Sequence, residues 1–108
     1  MRLYIGGAYQ GQAELARAEN PGAEVLDDFH EAVRAALMRG EDPRDFARRV
    51  CAGHPDAVIV ANEVGAGVVP VDADERAYRE AVGRALCVIA QASEAVTRVV
   101  CGIGARIK

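Results

Sequence analysis

The chain has no tryptophan and few aromatic residues, which make up 5% of its 108 positions. A core filled by rings is therefore excluded. The 51% of hydrophobic residues, many of them alanine and valine, suit close packing of helices on a sheet. Lysine is almost missing: Lys108 is the sole example, and the net charge of -3 leaves no global positive field to gather phosphates, so nucleic acid is not an expected partner. No stretch approaches the roughly 18 apolar residues of a membrane span, and the opening MRLYIGG is too short in apolar residues for a signal sequence. The expected location is the cytoplasm. Cysteine pairs are lacking too. Cys51, Cys87 and Cys101 are far apart, odd in number, without a Cys-x-x-Cys motif, and embedded in apolar sequence. They read as small core residues in a reducing compartment, not as a zinc or redox site. There is no internal repeat, low-complexity tract or linker. Residues 1–108 are expected to form one domain, burying roughly 65% of the surface of the unfolded chain.

What is present alternates strand and helix signals. Arg2 to Ile5 is a short β-rich run that stops at Gly6-Gly7, and QAELARAE after it is rich in helix formers. Asn20-Pro21-Gly22 marks a loop, Ala23 to Leu26 a short strand, and residues 28–38 a helix with Phe29, Val33, Ala36 and Leu37 on one face. Gly40 ends that helix, and Asp42-Pro43 supplies an N-cap and first-turn proline for another, running to Gly53. The unbroken apolar run from Ala57 to Ala61 predicts a strand covered on both faces and, by that token, the central one. Asp72 and Glu75 form a capping-box-like start for the longest helix, about 73–93. Val96 to Ile103 predicts a closing strand. The expected fold is α/β: a single-domain, mainly parallel sheet flanked by helices, like a truncated P-loop NTPase.

The first turn carries the main chemical signal. A working P-loop, G-x-x-x-x-G-K-S/T, cradles phosphates with backbone N–H groups, reaches the β- and γ-phosphates with its lysine, and holds magnesium with its hydroxyl. GGAYQGQA, formed by Gly6, Gly7, Ala8, Tyr9, Gln10, Gly11, Gln12 and Ala13, keeps the glycine spacing between strand and helix. Gln12 replaces the lysine and Ala13 the hydroxyl residue, so a neutral hydrogen bond stands in for a charge. A tight strand-to-helix connection can also require glycine for packing alone. A second turn, NEVGAGVVP, follows the most apolar strand with Asn62, Glu63, Gly65 and Gly67. Ligands in open parallel sheets bind at the C-terminal ends of strands, where the two turns would meet. Glu63 is placed to hold magnesium or to polarise an attacking group, or else to cap loop N–H groups. Asp27, at the end of the short strand, is a further candidate at this edge. His30 is either a nucleophile oriented by Asp27 or Asp28, or a surface or capping residue in the first turn of its helix.

GGAYQGQA, NEVGAGVVP, the Gly83-Arg84 pair and the terminal VVCGIGARIK occur in the order seen in the adenosylcobinamide kinase/adenosylcobinamide-phosphate guanylyltransferase enzymes of cobalamin biosynthesis, which the chain resembles. The resemblance implies a P-loop-type domain using GTP or ATP with magnesium, a corrinoid ligand, a homo-oligomer, and site roles for the two turns and Arg84. Family enzymes are considerably longer, and their helix reads GRLNQ where this one reads GRALC. A basic, histidine-containing segment supplies their GMP acceptor, whereas only Arg17 to Gly22 occupies that interval here. The resemblance thus implies a degenerate member, binding nucleotide or a partner with reduced or absent transferase activity; the alternative is an active adenosylcobinamide kinase.

Overall fold

The computed structural model describes residues 1–64 and 72–108. Its elements are β1 (Arg2–Gly6), α1 (Gln12–Glu19), β2 (Val25–Leu26), α2 (Phe29–Met38), α3 (Pro43–Gly53), β3 (Val58–Asn62), α4 (Ala73–Ala92), β4 (Ala95–Val100) and β5 (Ile103–Arg106). The strands form one sheet in the order β2-β3-β1-β4-β5. β1 pairs in parallel with β3 and β4, β2 in parallel with β3, and β5 antiparallel with β4. The α/β class and the mainly parallel sheet follow the expectation, and the family of folds is P-loop-like.

Three expectations are corrected. β1, not the Ala57–Ala61 run, is the middle strand. An unbroken apolar run reports cover on both faces, and residues Val58 to Ala61 are indeed buried, but cover does not fix position in the order. The closing strand is in fact a hairpin. Cys101 and Gly102 both take left-handed backbone angles, φ 51° and 74°, and reverse the chain between Val100 and Ile103 as a two-residue loop with the twist that hairpins favour. Finally, two of the three cysteines are not core residues: Cys51 is half-buried and packs against the core, while Cys87 on α4 and Cys101 at the hairpin tip are exposed.

Helix starts obey local chemistry. Asp42 Oδ1 accepts from the N–H groups of Arg44 and Asp45 at 2.9 and 3.1 Å, with Pro43 in the first turn of α3. Asp72 Oδ1 accepts from Asp74 N–H at 2.7 Å at the start of α4. Three helices, α2 to α4, cover one sheet face. There Leu3, Ile59, Ala61 and Val96 pack with Phe29, Val33, Val82 and Ile89. Among the described residues the other face carries α1 alone, whose Ala16 meets Tyr4, Val58, Val60 and Val99. The shared register Gly6↔Asn62 ends β1 and β3 level with each other. Both first turns of chemical interest therefore leave the sheet at one edge. Among the described residues no helix is long and apolar enough to cross a membrane.

Candidate functional site

The glycine turn from Gly7 to Gly11 joins β1 to α1. Gly6 lies so close to β4 that a Cβ would sit 2.5 Å from the Val99 carbonyl oxygen, and Gly11, at φ 85°, forms the N-cap of α1 in a left-handed conformation. Both glycines are therefore required by sterics. Tyr9 is left-handed too, at φ 61°, and its side chain stands wholly in solvent. The turn is held from the far end of the chain. Gly102 N–H donates to the Gln10 carbonyl at 2.7 Å, and Cys101 N–H to Gln10 Oε1 at 2.7 Å.

Gln12 is buried at 5% exposure. Its amide nitrogen faces the carbonyls of Gly7 at 3.0 Å, Gly6 at 3.3 Å and Ala61 at 3.5 Å, and Asn62 Oδ1 at 3.0 Å. All four neighbours are acceptors, which fixes the amide orientation. The side chain at the lysine position is thus turned back into the loop and bridges β1 to β3.

Beside it opens a cleft of about 190 Å³ lined by Gly11, Gln12, Ala13, Glu14, Asp27, Asp28, His30 and Asn62, with Val60 and Ala61 as its floor. His30 is buried, contrary to the surface or capping reading. Its Nδ1 accepts from Asn62 N–H at 3.1 Å, an anchor supplied by the end of β3. The acceptor role of Nδ1 puts the ring proton on Nε2, which lies 4.0 Å from Asp28 Oδ1 and 3.9 Å from Glu31 Oε1. Asp28, at φ 51°, begins α2 in a left-handed conformation without a side-chain cap. Asp27 lines the same cleft and pairs with Arg17 at 3.6 Å.

The other predicted residues divide. Glu63 N–H donates to the Gly6 carbonyl at 2.7 Å, tying the second turn to the first, but its carboxylate pairs with Arg98 Nε at 3.2 Å and does not line the cleft. Arg84 is exposed on α4 in an ion pair with Glu80, away from the cleft lining. Gly65 and Gly67 lie outside the described residues. A larger polar cavity, about 380 Å³, opens at the opposite strand ends beside Arg2, Tyr4, Glu19 and Asn20. Asn20 Nδ2 donates to the Tyr4 hydroxyl at 3.0 Å and that hydroxyl donates to Glu19 at 2.8 Å, so its wall is an internally satisfied network. No predicted site residue lines it.

A triphosphate with magnesium does not fit the cleft in the manner of a P-loop. Its lining holds three carboxylates, from Glu14, Asp27 and Asp28, and neither Lys nor Arg. The Gln12 amide is spent on backbone oxygens, and Ala13 offers no hydroxyl to a metal. No group of three or more His, Cys, Asp or Glu side chains is arranged to share a metal ion among the described residues. What remains of a phosphate site is the N-terminus of α1, with its unpaired N–H groups.

No protein in a curated collection matches the chain. The model of the family described as "Cobinamide kinase / cobinamide phosphate guanyltransferase", CobU, matches residues 12–107, nearly the whole sequence. With the strand, glycine turn and helix at the centre of a P-loop-like sheet, this chain belongs to the cobinamide kinase / cobinamide phosphate guanyltransferase family, one of cobalamin biosynthesis.

Proposed function

We propose that the chain serves cobalamin biosynthesis as a binding member of its family, taking a nucleotide or a partner protein, with the kinase and guanylyltransferase activities reduced or lost. The observation that carries this reading is the Gln12 amide, directed at the carbonyls of Gly6, Gly7 and Ala61. Phosphoryl transfer rests on positioning and on charges aimed at the phosphates. Removing one strong preorganised donor costs about 3 to 4 kcal/mol of barrier, or roughly 10²- to 10³-fold in rate. Here the lysine and the metal hydroxyl are both replaced, and the carboxylates of the cleft oppose an anion further.

One observation favours the alternative, an active adenosylcobinamide kinase: His30, Asp27, Asp28 and Asn62 stand together at the C-terminal strand ends. In that reading a cleft carboxylate, Asp27 or Asp28, takes the proton of the attacking hydroxyl, since His30 Nε2 already carries one and can only donate. Purified chain incubated with adenosylcobinamide, GTP or ATP and magnesium separates the two. The binding reading expects no phosphorylated product above background, and turnover at an ordinary enzymatic rate would refute it. The double substitution Gln12→Lys and Ala13→Ser is expected to raise nucleotide affinity, as read by isothermal titration. Unchanged affinity would mean that the remaining turn no longer holds phosphate.

A further inference from the structure

His30 carries a hydrogen-bond donor that no described residue accepts. The residue is 7% exposed, and its Nδ1 is spent on the Asn62 N–H at 3.1 Å. Nε2–H is left to the cleft, where the carboxylate oxygens beside it, Asp28 Oδ1 and Glu31 Oε1, stand at 4.0 and 3.9 Å, beyond hydrogen-bond reach. A buried donor without an acceptor is costly, so its acceptor must come from what enters the cleft. Three further donors belong to residues of the same lining. Gly11 makes no side-chain cap, and the first bond of α1 runs from Leu15 N–H to the Gly11 carbonyl at 3.1 Å. The N–H groups of Gln12, Ala13 and Glu14 are thus left without acceptors among the described residues, at the positive end of the helix dipole.

The same walls carry negative charge. Asp27 is paired with Arg17 at 3.6 Å, whereas Asp28 faces only His30 and Glu14 has no ion pair among the described residues. These carboxylates are not grouped to share a metal ion, which leaves them open to an organic cation. A bare anion would meet the donors and be repelled by the carboxylates. A bare cation would suit the carboxylates and leave His30 Nε2–H unpaired. A ligand with both charges answers both. Pockets for drug-sized ligands run from about 300 to 1,000 Å³, so a cleft of about 190 Å³ suits a small one.

We propose that the cleft binds a small free α-amino acid. Its carboxylate takes Nε2–H of His30 and the N–H groups at the start of α1, and its ammonium meets Asp28. Spacing picks out the α-arrangement. The bond lengths of an amino-acid unit bring the ammonium nitrogen within about 2.7 Å of a carboxylate oxygen, and the protein sets a donor and an acceptor, His30 Nε2 and Asp28 Oδ1, 4.0 Å apart. Charges set further apart by a longer chain fit that pair less well. Val60 and Ala61 give the floor an apolar surface for a short aliphatic side chain. Helix N-termini bind carboxylates as they bind phosphates. The turn therefore keeps its anion-binding end, while the acidic wall shifts its preference from a polyanion to a zwitterion. Such a ligand lies beyond the proposed function, and the adenosylcobinamide assay bears on phosphate transfer alone.

Titration of the intact, isotope-labelled chain with L-alanine, followed by amide and histidine-ring NMR shifts, is expected to give saturable changes at Gln12, Ala13, His30 and Asn62, with a Kd of about 1 to 10 mM. Acetate and ethylamine each carry one of the two charges, and 4-aminobutyrate holds them apart. All three are expected to bind at least about tenfold more weakly than L-alanine. Asp28→Asn keeps a residue type that adopts the left-handed backbone found there, φ 51°. This variant is expected to weaken L-alanine about tenfold, with an unchanged circular dichroism spectrum and no weakening of acetate. An L-alanine titration without saturable shifts at the cleft up to about 50 mM overturns the proposal. So does acetate or 4-aminobutyrate binding as tightly as L-alanine, wild-type affinity in Asp28→Asn, or inorganic phosphate that binds the cleft more tightly than L-alanine.

Discussion

At position 12 a neutral amide sits where a charge would reach outward in a working phosphate loop, and its two N–H groups serve four oxygens. Truncation strands those acceptors in a buried place. Gln12→Ala is expected to lower stability by about 1 to 3 kcal/mol, measured as a drop in the urea midpoint. His30 presents the same physics in reverse, since it accepts the Asn62 N–H at 3.1 Å. His30→Ala leaves that donor unpaired. The Asn62 amide is expected to exchange with deuterium faster in this variant, while amides in the interior of β1 stay protected. Protection equal to wild type at Asn62 would show that another group takes the bond. The substitutions at Gln12 and Ala13 were legible in the sequence because the glycine spacing marks the positions. The wiring of Gln12 was not, because two of its acceptors, Ala61 and Asn62, lie 49 and 50 residues away. For His30 the residue type alone left nucleophile, surface and cap open. Its burial is decided by Asn62, a partner 32 residues further on.

Elements whose instructions are local were legible. Asp42 followed by Pro43, and Asp72 before Glu75, announce helix starts through side chains that satisfy N–H groups within three residues. Asp42→Ala and Asp72→Ala are each expected to cost about 1 kcal/mol, read by thermal or urea unfolding, with Asp42→Asn restoring most of the loss at its site. The closing hairpin was not legible, because a β-branched run before a glycine fits one long strand as well as a turn. What decides it is the left-handed pair Cys101-Gly102 together with the two hydrogen bonds that this turn makes to Gln10. β1 is held equally closely. Gly6→Ala would drive a Cβ to within 2.5 Å of a backbone oxygen of β4, and backbone cannot swing aside as a flexible side chain would. A loss of about 2 kcal/mol or more is expected, and an unfolding midpoint like that of the wild type would contradict the packing of β1 on β4.

At the scale of the whole molecule, burial on the sheet faces gives stability a dependence on alkaline pH. Desolvation first, and then the hydrogen bond to Glu19, raises the Tyr4 phenol above its ordinary 10.0. Desolvation likewise raises Tyr78, and Cys51 above 9.0. In each case the folded state favours the neutral form. The associated stability is complete below the ordinary values and is lost as pH rises through the raised ones. The urea midpoint is therefore expected to fall progressively above about pH 9, and Tyr78→Phe to make the decline shallower. The layer arrangement behind this was legible as a class, from alternating strand and helix signals in a chain poor in aromatics. The strand order was not. Periodicity reports which faces are covered, whereas neighbours in the sheet are chosen by long-range packing.

The central place of β1 also sets when the molecule can fold. Its two neighbours are both later in the chain, with Arg2 in register with Val58 on one side and Ala95 on the other. Neither partner is near in sequence. Closing such distant loops costs entropy before any pairing repays it, which makes for slow folding. A chain still being synthesised thus carries its first strand unpaired on one side until the last strands have emerged, and through that interval the half-built sheet depends on whatever keeps nascent edges from finding one another.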